Sequence, residues 1–143
     1  MAIQYVLDTD IVSLLRREPD TGRVRARVAA TDLTTLAISV ITVEEQLAGW
    51  FDQIRRAPTP ALRASAYAAL AQTVPFLAHF SILPFTESAM TRFDVLKAMR
   101  LNVKGNDLRI AATALEINAT VVTHNKRDFE RILGVSVEDW AQF

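Results

Sequence analysis

Residues 3–10 read Ile3-Gln4-Tyr5-Val6-Leu7-Asp8-Thr9-Asp10, a short apolar run rich in β-forming side chains and stopped abruptly by acid. Such a run suits a strand covered on both faces. Strands of a parallel sheet are roofed by helices on each side and lose the polar alternation of a half-exposed strand. Similar runs recur at 36–40, 82–85 and 120–123. Between them the apolar side chains take a helical period, as at Val43, Leu47, Phe51 and Ile54 and in the alanine-rich stretch 61–80. Parallel neighbours need a crossover, so this alternation predicts an α/β fold. It has three layers, α/β/α, around a central parallel sheet of four to five strands.

Pro58 and Pro60 end the first helical pattern after Ala57, and Pro75 lies inside the next one, which predicts a bend or break near Thr73. The result is a helical hairpin around 43–80, the largest insertion between strands. A chain of 143 residues, 50% hydrophobic, can bury one sizeable core and is too short for two ordinary domains, so 1–143 reads as a single domain. With no cysteine there is neither a disulfide framework nor a thiolate metal site, and any metal must be held by oxygen or histidine. Sixteen basic and sixteen acidic side chains cancel, so contact with nucleic acid falls to local charges rather than to a global field. The first ten residues carry no basic start and no long apolar stretch, and nothing later approaches a membrane span. A soluble, cytoplasmic protein with no membrane partner is expected.

In open parallel sheets, functional groups collect beyond the carboxyl ends of the strands. Asp8 follows the first strand, Glu45 is placed in the first turn of the helix after the second, and Asp107 opens the helix before the 120–123 strand. Carboxylates brought together there repel one another and raise each other's pKa unless a hard divalent cation neutralises them. An all-oxygen set with room for water suits Mg²⁺, with Mn²⁺ as a substitute, and the chemistry implied is phosphodiester hydrolysis. Each acid also has a structural reading. Thr42-Val43-Glu44-Glu45 matches a capping box, Asp107 at a helix start is favoured by the helix dipole, and Asp10 can cap the helix beginning at Ile11. Asp8, at the end of a buried strand, is the hardest to explain that way.

Three ordered motifs resemble the PIN-domain family, and in particular its VapC-type toxins, over essentially the whole chain. They are Tyr5-Val6-Leu7-Asp8-Thr9-Asp10; Ser39-Val40-Ile41-Thr42-Val43-Glu44-Glu45, continuing to Gly49; and Asn106-Asp107-Leu108-Arg109-Ile110-Ala111-Ala112-Thr113-Ala114, followed by Val122-Thr123-His124-Asn125-Lys126-Arg127-Asp128-Phe129. The spacing to Thr42 and Gly49 selects Glu45 over Glu44. The resemblance implies a Mg²⁺-dependent endoribonuclease with Asp8, Glu45 and Asp107 as its acidic metal site, a small VapB-like antitoxin and a homodimer. A tRNA or another structured RNA fits that likeness as substrate.

The sequence departs from the family where many relatives carry a fourth acid, because Asn125 stands there. An amide can still supply a carbonyl oxygen or hold a water, so Asn125 is kept as a catalytic candidate. Asp128 reads as a helix-start residue. The resemblance suggests that Thr9 and Thr123 orient carboxylates or water, against the ordinary structural role of strand-end threonines. Lys104, Arg109, Lys126 and Arg127 surround the third motif and can hold RNA phosphates. His124 is too isolated for a general base, while Trp50, Phe51 and Phe93 read as packing or as a dimer face. The region 61–80 is the candidate surface for antitoxin or dimer. Two rival readings remain: a haloacid-dehalogenase-like phosphatase with Asp8 of Asp8-Thr9-Asp10 as nucleophile, and a degenerate PIN domain that only binds a partner.

Overall fold

The computed structural model describes residues 2–17, 19 and 22–141. Five strands form one parallel sheet: β1 (Tyr5–Leu7), β2 (Leu36–Ser39), β3 (Ser81–Leu83), β4 (Thr120–Val122) and β5 (Val137–Glu138), in the order β3-β2-β1-β4-β5. The helices are α1 (Thr9–Arg17), α2 (Arg23–Ala29), α3 (Val40–Arg56), α4 (Pro60–Leu77), α5 (Glu87–Ala98), α6 (Gly105–Glu116) and α7 (Lys126–Phe129). The four apolar runs are β1 to β4 in sequence order, three inner strands and the edge strand β3. Val137–Glu138 is a fifth that the sequence does not announce, being two residues long and half polar.

Register places the site. Leu7 pairs with Ile38 on one side and Val122 on the other, so β1 and β4 end level and β2 within one residue of them. The ladder runs one step further, with the Asp8 amide donating to the Val122 carbonyl at 2.8 Å. Successive side chains of a strand point to opposite faces. Val6 and Val121 accordingly join Phe93, Ile110, Ala111 and Phe129 in one core layer, while Leu7, Ile38 and Val122 join Ile11, Val12, Val24 and Trp140 in the other. Such a fully buried Leu or Val contributes about 1.5–3 kcal/mol from its removal from water. α6 is enclosed on most of its circumference, since Ile110-Ala111-Ala112-Thr113-Ala114 are all buried; small side chains let it lie close to its neighbours. It ends at Glu116, and Asn118, with a φ of +57°, turns the chain back into β4.

The α3–α4 hairpin has the expected break after Ala57, but not the second one. α4 runs unbroken from Pro60 to Leu77, through Thr73 and Pro75. Pro75 is less than a turn from the helix end, so its ring deletes one backbone bond where fraying costs little. One turn earlier, the Thr73 hydroxyl donates to the Ala69 carbonyl at 2.7 Å. Thr59 caps the start by accepting from the Leu62 amide at 3.2 Å, with Pro60 in the first turn. Among the described residues, no helix is long and apolar enough to cross a membrane.

Candidate active site

Because β1, β2 and β4 end nearly level, the segments that follow them meet at one edge. Asp8 leaves β1 and is 4% exposed, buried as carboxylates rarely are. Its Oδ1 accepts from the Thr9 amide at 2.8 Å and its Oδ2 from the Thr123 hydroxyl at 2.8 Å. Across the β1–β2 side, Thr9 Oγ1 donates to Glu45 Oε1 at 2.7 Å and lies 3.0 Å from Thr42 Oγ1. A hydroxyl has one hydrogen, and that of Thr9 is committed to Glu45, so Thr42 donates to Thr9. The two threonines suggested by the resemblance thus each hold one of the predicted acids, and Thr42, read from the sequence as a cap and a motif position, is a third member through Thr9.

The capping-box reading of Glu45 is overturned. Ser39 ends β2 and is itself the cap of α3, accepting from the Thr42 amide at 3.3 Å, so the helix begins at Val40 and Glu45 lies in its second turn rather than its first. Its carboxylate is freed from the backbone and turned to Thr9. Asp10 does not cap either. α1 begins at Thr9, and Asp10 reaches across to β4, where Oδ2 accepts from the His124 amide at 3.1 Å. Asp10 was absent from the predicted acidic set; the D-x-D spacing was its signal, obscured by the cap reading.

Asp107 lies in the first turn of α6 and is half-buried. Its neighbours are named by its proton affinity. Burial, then Glu45, with smaller parts from Asp128 and Asp10, push its pKa up from 3.8 to about 6, and Lys104 partly offsets them. Asp8 is raised further, to about 8, first by burial and then by Asp10, with Asp107 adding and the Thr123 and Thr9 hydrogen bonds opposing. The acids of four separate segments therefore feel one another at this edge.

The remaining candidates divide. Asn125 is half-buried beside the cluster, its amide nitrogen donating to Thr123 Oγ1 at 2.9 Å and its Nδ2 to Asp128 Oδ2 at 2.8 Å. Asp128 sits in the first turn of α7 and pairs with Arg131 at 3.5 Å. Arg109 is turned inward, bonded to Asn106 Oδ1 at 2.8 Å and lying 4.4 Å over the Phe93 ring. Lys126 makes a long pair with Glu130, 3.8 Å, and Arg127 is exposed on the same short helix. His124 is not isolated: Nδ1 lies 3.1 Å from Asp139 Oδ2, a pairing that depends on β5 and so was invisible in the sequence.

Among the described residues, no three acidic or histidine side chains stand close enough to enclose a metal ion unaided. Carboxylates that do not close a cage by themselves leave room for water, and Mg²⁺ is a cation that keeps several waters when bound. The raised proton affinities of Asp8 and Asp107 agree, because burial and neighbouring carboxylates outweigh what positive charge is near, which for Asp107 is Lys104. The donor set fits a hard divalent ion.

The PIN domain family matches residues 5–134. Ribonuclease VapC2 of Rickettsia felis is 29% identical over 142 residues, 95% of this chain and 97% of that one. Ribonuclease VapC1 of Haemophilus influenzae is 39% identical over 49 residues, and that match spans only 37% of the relative's length. Among solved structures, the DNA-bound VapBC from Salmonella typhimurium superposes with a TM-score of 0.77 at 26% identity, over 96% of this chain and 98% of that chain. FitAcB from Neisseria gonorrhoeae gives 0.75 at 26% identity, over 98% and 100%. The chain belongs to the PIN domain family. Within that family it is of the VapC type, as its full-length sequence relative and its structural neighbours are. The phosphatase reading falls with this. The family match covers far more than Asp8-Thr9-Asp10.

Proposed function

We propose that the chain is a divalent-metal-dependent endoribonuclease, the toxin of a VapBC-type toxin–antitoxin pair, with Asp8, Glu45 and Asp107 as its metal-holding acids. The observation that carries the reading is the convergence of Asp8, Asp10, Glu45 and Asp107, from three separate segments, at the carboxyl edge of β1, β2 and β4. A stabilising role alone does not account for it, since Asp8 and Asp107 are held at a cost in the metal-free protein.

A Mg²⁺ or Mn²⁺ ion there would supply positive charge against the charge developing on a phosphodiester and acidify the attacking water. The chain's own residues do the rest. Thr123 and the Thr9 amide fix both oxygens of Asp8, and Thr9 fixes Glu45, so that two carboxylates are oriented before substrate arrives. Asp107, with its pKa near 6, is already ionised at neutral pH, whereas Asp8, near 8, would give up its proton when the cluster is neutralised. Asn125, tied through Nδ2 to Asp128, keeps its carbonyl oxygen as an acceptor toward substrate or water. Lys126 and Arg127 stand on α7 where RNA phosphates can be met. A small VapB-like antitoxin and a homodimer belong to the same reading, supported by exposed apolar side chains on α3 and α4, among them Phe51, Leu62 and Tyr67, and on α5, among them Met90 and Val95.

The experiment is cleavage of total cellular RNA by antitoxin-free protein with Mg²⁺, Mn²⁺ or EDTA, beside Asp8→Asn and Asp107→Asn. Discrete fragments that need the metal and vanish in both variants are expected. Folded protein that binds antitoxin but neither binds Mg²⁺ nor cuts RNA would instead make this a binding-only PIN domain.

A further inference from the structure

The Thr9–Glu45 contact is the upper end of a longer seam. Helical periodicity carries α1 from Thr9 to Ser13 and on to Arg16 and Arg17; α3 runs from Glu45 and Gln46 to Trp50 and Gln53. The seam is held a second time one turn further on, where Gln46 Nε2 donates to Ser13 Oγ at 2.9 Å. Beyond it the helices part, leaving a groove of about 470 Å³ lined by Ser13, Arg16, Arg17, Gln46, Trp50 and Gln53. A groove of that size falls in the range that holds one small ligand, here one nucleotide.

The lining is aromatic, cationic and amide-bearing. It offers an indole, two guanidinium groups and two side-chain amides, with no aliphatic side chain among the described residues. Trp50 is half-buried and bounds the groove, so its ring is held in place while part of it stays open. Arg16 is braced by Thr73 Oγ1 and by the Phe76 ring, 5.2 Å from its centroid, whereas Arg17 is exposed on the rim. Aromatic faces stack unpaired bases, amides read base edges, and guanidiniums take phosphates.

We propose that this α1–α3 groove is a nucleotide subsite, in which the RNA strand leaving the acid edge stacks one unpaired base on Trp50 and rests its phosphate on Arg17. The inference rests on the nuclease reading and adds to it a substrate class: RNA single-stranded on the side of the cut that enters the groove. A paired base cannot present its face to the indole, so duplex RNA is excluded from the groove.

The test uses the cleavage-silenced Asp8→Asn protein and a short random-sequence single-stranded RNA carrying a fluorescent end label. Trp50→Ala in this background weakens binding about tenfold, the size of one base–aromatic stack. Trp50→Phe restores most of it, which loss of folding would not allow. Arg17→Gln weakens binding about threefold and lowers the slope of log affinity against log salt by about one. RNA quenches tryptophan emission in the parent and not in Trp50→Phe, because Trp140, the second of two tryptophans, is buried. Undiminished RNA affinity in Trp50→Ala and Arg17→Gln, with wild-type protein cutting RNA, overturns the groove alone. If wild-type protein cuts no RNA, the nuclease reading fails first. If Trp50→Ala loses antitoxin affinity but keeps RNA affinity, the groove is a protein site and the proposal is wrong.

Discussion

Asp8→Asn should make the metal-free protein more stable while abolishing activity. The folded protein raises the Asp8 pKa from 3.8 to about 8, so between those values the folded state holds a proton that the unfolded chain has released. Where the native state binds more protons, stability falls as pH rises. At neutral pH the penalty is the distance from 3.8 to about 7 at 1.36 kcal/mol per unit, a ceiling of about 4 kcal/mol. Asparagine is neutral throughout and escapes it. Its amide can accept from only one of the Thr9 amide and the Thr123 hydroxyl, which returns about 1–2 kcal/mol. A net gain of about 2 kcal/mol remains, or about 6 °C in Tm for a domain of this size. Urea denaturation in EDTA across pH resolves the cause. The gap between variant and wild type should widen by about 1 kcal/mol per pH unit from about pH 5 to about pH 7, then level off near pH 8. A gap that does not change with pH, or a variant less stable at neutral pH, would refute the reasoning and make Asp8 a structural anion well served by its two hydrogen bonds.

Three further outcomes follow from the same geometry. Asp107→Asn removes a pKa raised to about 6, so it too flattens the fall in stability, but only up to about pH 6; because Asp107 is only partly buried and screened by solvent, the gain is about 1 kcal/mol or less, measurable by the same titration. Thr123→Val takes a donor from Asp8 and an acceptor from the Asn125 amide inside the protein. It should cost about 1–3 kcal/mol in calorimetry and weaken Mg²⁺ binding, read by isothermal titration, because Asp8 then holds its proton more tightly. Thr59→Ala deletes the cap of α4 and should cost about 1 kcal/mol in urea denaturation with RNA cleavage unchanged, since the α3–α4 turn touches none of the acids.

The sequence shows β1, β2 and β4 because burial on both faces writes them as plain apolar runs, and it shows the edge strand β3 by its apolar run alone; it shows Asp8 and Asp107 because an acid after such a run, or opening such a helix, is conspicuous. What escapes it depends on neighbours that only folding supplies. β5 is held by pairing with β4 rather than by its own composition, so His124 loses its visible partner, Asp139. Glu45 was ambiguous because Thr42-x-x-Glu45 satisfies a local rule. The ambiguity is resolved by β2 ending at Ser39, which starts the helix three residues early and leaves Thr42 inside it. Asp10 follows the same logic in reverse, its cap role made redundant by a helix that begins at Thr9. At Pro75 the residue's intrinsic preference was correctly read and its consequence overestimated, because position near a helix end decides what a missing donor costs.

The nearly level ending of β1, β2 and β4 also sorts where this chain can change in length. Adding one residue to β1 before Leu7 would advance Asp8 by about 3.3 Å and send its side chain to the opposite face of the sheet, away from Thr123 and toward the other core layer. The turn at Ala57, Pro58 and Thr59 feeds neither the sheet nor the acid edge, so a peptide tag or a whole folded insert there leaves that edge in register. For anyone attaching a reporter to this protein, or reading length variation among its kin, the strands behave as a ruler and the hairpin turn as slack.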